Sequence, residues 1–179
     1  LYPDTLAVMQ IFDAKGHYGV ASCALTTGDV RQHAKQVLQQ AISNAQVEGR
    51  APSMIWCYQA PGHEESILAG FADAVGTGIP VFGGSSADND ISGNWTQFSQ
   101  DQYGSELLVV AVLYPSVLIS GHFGSGYRLT GDTALVSKAI DREIIELDQM
   151  PAADVYRRWQ GLPPFSPFMR TNVLSQSSF

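Results

Sequence analysis

Between residues 18 and 85 the chain switches repeatedly between two kinds of apolar pattern, and this alternation restricts the fold more than any other feature of the sequence. After Asp29, the residues Val30, Ala34, Val37, Leu38, Ala41, Ile42 and Ala45 recur at the three-to-four spacing that gathers apolar groups on one side of a helix. The other side carries Arg31, Gln32, Lys35, Gln36, Gln39 and Gln40, a solvated face. Asp29 suits the cap, because a carboxylate there accepts from the free N–H groups of the first turn, and Gly49 suits the stop. A second helical pattern, Ile67, Leu68, Phe71, Ala72 and Val75, follows His63-Glu64-Glu65 and ends at Gly76-Thr77-Gly78. Its two leading carboxylates suit the positive end of a helix dipole. Residues 18–25, 53–58 and 79–82 are apolar runs too short for helices, bounded by Gly and Pro, and read as buried strands. Strand, helix, strand, helix, strand in this order predicts parallel βαβ units with right-handed crossovers.

The flanks add antiparallel elements. Residues 6–12 are apolar and joined to 18–25 by Asp13-Ala14-Lys15-Gly16-His17, a connection of hairpin length. Residues 95–99, 105–114, 117–123, 133–140 and 143–147 are strand-like, with short turns between them, Asp141-Arg142 being the tightest. They are expected to pair antiparallel. A short helix is expected from Pro151 to Trp159, where Ala152, Val155, Tyr156 and Trp159 share a face. From Leu162 the chain is rich in Pro, Phe and Ser without a period, and residues 162–179 read as a linker or a fragment of a following segment. The expected fold class is α/β: a mixed sheet with a βαβαβ parallel part followed by antiparallel strands, flanked by helices, over residues 1–161.

Composition narrows the function. Of 179 residues 45% are apolar and 15% charged, which predicts a packed core rather than a disordered chain. A formal charge of −7 opposes attraction to nucleic acid or anionic lipid. The longest apolar stretch, residues 107–114, falls far short of the roughly 20 residues that span a bilayer. Cys23 and Cys57 lack any Cys/His spacing suited to zinc and read as small buried hydrophobes in a reducing cytoplasm. Neither a metal nor another cofactor is expected.

The chemistry is concentrated in the loop after the third strand, Gly83-Gly84-Ser85-Ser86-Ala87-Asp88-Asn89-Asp90. In open α/β sheets ligands sit at the carboxyl ends of strands, and glycines let backbone N–H groups approach them closely. A plain turn is the simplest reading. Catalysis is a second reading, since Gly83-Gly84-Ser85-Ser86-Ala87 is one residue away from the Gly-x-Ser-x-Gly elbow of serine hydrolases. His122, with Asp88 or Asp101, would then complete a triad. An elbow needs a helix directly after the serine, whereas Asp88-Asn89-Asp90 and Ser92-Gly93-Asn94 are turn formers. Binding asks for less: Gly83, Gly84, Ser85 and Ser86 to hold a ligand carboxylate, Asp88 or Asp90 to accept from an ammonium, and Trp95, Phe98 or Phe123 as an apolar wall. Core packing is the competing role for Trp95 and Phe98. For His122, between glycines, a backbone hydrogen bond and a ligand contact are both open. His63 beside Glu64 and Glu65 makes a poor metal site, because adjacent residues on a helix point apart.

Pro61-Gly62-His63-Glu64-Glu65, the segment from Pro80 to Asp88, and Trp95-Thr96-Gln97-Phe98 together resemble the FIST (F-box and intracellular signal transduction) sensory family, N-terminal-type domain. Gly121-His122-Phe123-Gly124, Leu129-Thr130-Gly131, Ile145-Glu146-Leu147-Asp148 and the run from Pro151 to Tyr156 continue the resemblance, which spans roughly residues 6–161. Two features depart from the family: Gln149-Met150 replaces a glycine and a basic residue, and the family's opening strand is missing before Leu1. The resemblance implies a non-catalytic sensory domain of bacterial signalling proteins that binds a small ligand, with amino acids proposed. Its implied partner is an output module such as a kinase, cyclase or chemotaxis-type receptor. A protein-interaction module without a ligand remains an alternative.

Overall fold

The computed structural model describes residues 8–26, 28–88, 92–100, 102–124 and 126–165, in two compact units that divide after His122. The first unit contains β1 (His17–Ala24), α1 (Val30–Asn44), β2 (Met54–Gln59), α2 (Glu64–Val75), β3 (Val81–Ser85), β4 (Gln97–Phe98), β5 (Tyr103–Gly104) and β6 (Leu107–Tyr114). The second contains β7 (Val136–Ile140), β8 (Glu143–Leu147), β9 (Met150–Pro151) and α3 (Ala152–Trp159).

The expected α/β class with a mixed sheet is present. The main sheet has the order β1-β6-β2-β3, with β2 and β3 parallel and β6 antiparallel to both β1 and β2. Only β2-α2-β3 forms a parallel pair of neighbours, because β6 inserts between β1 and β2. Composition explains the insertion. β6 reads Leu-Leu-Val-Val-Ala-Val-Leu-Tyr and is buried at every position except the half-buried Ala111, so both of its faces need cover. A central place pairs both edges of β6 and sets it beneath the middle of the helix layer, where Leu108, Val110, Val112 and Tyr114 join the core. β1, in which Gly19 alone is buried and the rest are half-buried or exposed, tolerates the edge.

Both long helices pack on one face of this sheet. Ala34, Val37, Leu38 and Ala41 of α1 and Ile67 and Phe71 of α2 meet Ile55, Cys57, Leu108, Val110, Val112 and Tyr114. Burial of a side chain such as Phe71 contributes about 1.5–3 kcal/mol. Asp29 caps α1 as expected, accepting from the N–H groups of Arg31 at 2.9 Å and Gln32 at 3.3 Å. Gly76 closes α2, also as expected. The end of α1 differs: it stops at Asn44, and Gln46 rather than Gly49 makes the first left-handed step, at φ 56°. Asn44 secures this exit by donating to the Val20 carbonyl at 2.7 Å.

Several expected strands shrink or are missing. Residues 8–12 form no strand, so the described part of the opening hairpin is not built; Leu6 and Ala7 lie outside the described residues. Asp13 instead ties the ends of β1 and β6 together. Its carboxylate accepts from Lys15 N–H, Gly16 N–H, the Tyr18 hydroxyl, and both N–H and hydroxyl of Ser116, at 2.6–3.2 Å. The Ser116 donors, ahead of Tyr18, hold this carboxyl well below the usual carboxylate range. The strand expected at 95–99 contracts to β4, and residues 117–123 form none: Leu118 is 99% exposed and has no apolar surface to join. The strand expected at 133–140 begins at Val136.

In the second unit β7, β8 and β9 pair antiparallel around the Asp141-Arg142 turn, and α3 follows directly. The proposed tail beyond Phe165 lies outside the described residues. No helix among the described residues is long and apolar enough to cross a membrane.

Candidate functional site

Because β2 and β3 run parallel, their carboxyl ends lie side by side, with Gln59 opposite Ser85 and Cys57 opposite Gly83. Gly83 permits this approach. Its φ is 142°, and a Cβ there would lie 1.6 Å from the Cys57 carbonyl oxygen. Strand alternation then sorts the loop residues by face. Ile55, Cys57 and Val81 pack beneath the helices, so Gln59 and Ser85, two or four residues further along, share that side.

There, four groups meet. Gln59 is 5% exposed and donates through Nε2 to Ser85 Oγ at 3.2 Å. The Ser85 hydroxyl donates to the carboxylate of Glu64, in the first turn of α2. Glu64 also accepts from the Gly62 N–H, at 3.0 and 3.2 Å. Ser86 N–H closes the strand end on the Gln59 carbonyl at 2.9 Å. The cluster thus combines a carboxylate, a hydroxyl, an amide and backbone donors, with Ser85 and Gly84 exposed at its mouth.

The other residues singled out in the sequence are placed elsewhere. Asp88 turns its carboxylate onto its own loop, accepting from the N–H groups of Gly93 and Asn94 and from the Ser92 hydroxyl. Trp95 is half-buried and donates through its indole to the Ser105 carbonyl at 3.0 Å. Phe98 is 66% exposed, and its backbone N–H donates to the Tyr58 hydroxyl at 3.1 Å. Tyr58 alternates with Gln59 and points to the opposite face. His122 is exposed and follows Gly121, which lies so close to the Phe82 ring that a Cβ would overlap it. Phe82, adjacent to Val81, also points away from the helices. Ser85 is therefore grouped with Gln59 and Glu64, while Phe98 belongs with Tyr58 on the other side and Gly121, next to His122, lies against Phe82. Asp90 and Asp101 lie outside the described residues, and Phe123 opens the second unit.

This arrangement bears on the elbow reading. Residues 86–88 and 92–96 contain no helix, and among the described residues no histidine bonds Ser85. The thiols are equally quiet: burial pushes the Cys57 thiol up to about 11 and raises that of Cys23, and neither is paired. No group of three His, Cys, Asp or Glu suited to a metal occurs among the described residues. A shallow depression of about 440 Å³, lined by Lys15, His17, Gln46, Val47, Glu48 and Arg50, lies at the opposite end of the sheet, beside the start of β1.

Three members of the cluster, Gln59, Gly62 and Glu64, were not legible in the sequence as site residues. Glu64 stood out as a dipole partner, as a poor metal ligand and within a family motif, but not as a contact of the glycine loop. Gln59 offered one signal: a polar residue closing an apolar strand at its carboxyl end.

Comparison with known proteins identifies the family of the chain. A family model described as the FIST N domain matches residues 2–150, which crosses from the first unit into the second. No curated protein and no solved structure matches the chain. With most of its length matched, the chain belongs to the FIST N domain family, a family of sensory domains of signal transduction.

Proposed function

We propose that this chain is a non-catalytic sensory domain that binds a small polar metabolite, amino acids foremost, at the carboxyl ends of β2 and β3. The observation that carries the reading is the meeting of Gln59, Gly62, Glu64 and Ser85 where the two parallel strands end. Open α/β sheets take ligands at this position, and a polar ligand needs such a mixture of donors and acceptors. Gly84, Ser85 and Ser86 then contact the ligand first, with Gly83 allowing the strand ends to approach. Asp88 contributes by fixing the loop. Trp95, Phe98 and His122, which lie outside the cluster, stay candidate ligand contacts.

Binding acts as a signal only if it favours one of two states, which an output partner such as a kinase, cyclase or chemotaxis-type receptor would read. The two unpaired thiols suit a cytoplasmic setting. Thermal unfolding against free amino acids and small carboxylates tests the reading. A ligand at a hundredfold excess over its Kd stabilises by about 2.7 kcal/mol, a rise of several degrees in a domain of this size. The rise should saturate and be lost in Ser85→Ala; no rise with any compound counts against a small-ligand sensor.

A further inference from the structure

The face of the main sheet opposite the helices has a gap at the end of β3. Ile55, Cys57 and Val81 pack beneath the helices, so strand alternation turns Trp56, Tyr58, Phe82 and Gly84 to the other side. Trp56 lies opposite Phe82, and Tyr58 opposite Gly84. Three aromatic residues thus neighbour a position without a side chain, where a Cβ would meet nothing within 4 Å. Trp56 is 43% exposed, and Phe98, whose N–H is held by the Tyr58 hydroxyl, is 66% exposed.

The gap opens onto a strand edge, since β3 is the last strand of its sheet. The Ile55 N–H bonds the Pro80 carbonyl and the Ser86 N–H bonds the Gln59 carbonyl. Even-numbered residues of β3 therefore turn their backbone groups to β2, and odd-numbered ones turn theirs outward. On that outer edge the Gly83 carbonyl and the Ser85 N–H flank Gly84, and all three residues are exposed. One further residue in parallel pairing would donate its N–H to Gly83, accept from Ser85, and place its side chain on the face of Gly84. A free amino acid carries the same groups as an ammonium and a carboxylate. Val81 and Phe82 are half-buried, so the exposed edge suits one such bridge better than a long strand.

We propose that the space over Gly84 is the side-chain subsite of the sensor, and that its ligand is an aromatic L-amino acid bridged to Gly83 and Ser85 along the edge of β3. This assignment rests on the reading of the chain as a small-ligand sensor. The ligand ring lies over Gly84 beside Tyr58, where burial of apolar surface and contact between rings both favour it. Inversion at the ligand Cα turns the ring to the helix side of the sheet, so the L form is selected.

Isothermal titration of the full chain with three probe sets tests this: L-phenylalanine, L-tyrosine and L-tryptophan; L-alanine and L-serine; and D-phenylalanine. The same titrations are repeated on Gly84→Val, which fills the gap with a side chain that strands favour. The expected result is that at least one aromatic L-amino acid binds at least tenfold more tightly than alanine, serine and D-phenylalanine, and that Gly84→Val abolishes this preference. Equal binding of the small or the D-amino acids, or a preference retained in a folded Gly84→Val, overturns the subsite and leaves the sensor reading standing. Dimerisation in sedimentation with no preference among the amino acids assigns the edge to a second copy and overturns the subsite as well. If Gly84→Val does not fold, the selectivity of the unaltered chain decides alone. Binding of none of the probes overturns the subsite and the amino-acid sensor reading together.

Discussion

The hydroxyl of Ser85 donates to the carboxylate of Glu64, so that the last residue of one parallel strand is tied to the first turn of the helix that leads into it. Twenty-one residues separate the two in sequence. This bond closes the βαβ unit at the end where a ligand is proposed to enter. Ser85→Ala removes the acceptor of the Gln59 amide nitrogen and one of the donors to Glu64. The expected loss is about 1 kcal/mol, toward the lower end for hydrogen bonds because water reaches the exposed serine. Urea unfolding at neutral pH measures it, and an unchanged midpoint would mean that the bond contributes nothing.

Gly83→Ala is expected to be far more damaging. The added methyl would lie 1.6 Å from the Cys57 carbonyl oxygen, at a φ of 142° that residues with a Cβ rarely adopt. Relief requires the β2–β3 pair to separate, at a cost of about 3 kcal/mol or more. Gly84→Ala is the matched control, since a Cβ there meets nothing within 4 Å. Chemical unfolding of the two variants should differ sharply; equal midpoints would contradict the strand approach.

Asp13→Asn probes the clasp between β1 and β6. The folded carboxyl lies well below the ordinary value of 3.8, so the native state holds fewer protons than the unfolded chain in mild acid. Its stabilisation is complete above the unfolded pKa and is lost as pH falls toward the folded one. Asn substitution should therefore lower Tm at pH 7, and the gap should narrow progressively below about pH 4. A gap independent of pH across that range would show that charge plays no part.

Cys57 should be inert in the native state. Burial pushes its thiol from 9.0 up to about 11, which disfavours the thiolate that reacts. A disulfide reagent at pH 8 should modify it at a rate limited by opening, and rapidly in denaturant. By linkage the neutral thiol contributes its full stability below pH 9, a contribution lost as pH rises toward 11. Rapid labelling of native Cys57 would place it nearer the surface than its 6% exposure indicates.

What the sequence disclosed follows the range of the interactions involved. Both long helices were legible from Val30 to Ala45 and from Ile67 to Val75, because their apolar spacing is local and Asp29 and Gly76 act on neighbouring turns. The parallel pairing of β2 with β3 followed from the intervening helix. The insertion of β6 was not legible, since residues 107–114 show that the strand is apolar throughout but not which strands flank it. The site divides in the same way. Ser85 was visible in the glycine loop, but its partners Gln59 and Glu64 come from 26 and 21 residues away. Asp88 shows how a local alternative competes: turn formers at Ser92, Gly93 and Asn94 supply donors that engage its carboxylate.

Amide-resolved NMR of the labelled chain, titrated in turn with the free L-amino acids, tests the central claim most directly. The account predicts that at least one of them produces saturable shifts centred on Gly62, Glu64, Gly84, Ser85 and Ser86, and that Ser85→Ala weakens them. Shifts centred instead on the depression formed by Lys15, His17 and Arg50, or no saturable shift with any amino acid, would contradict it.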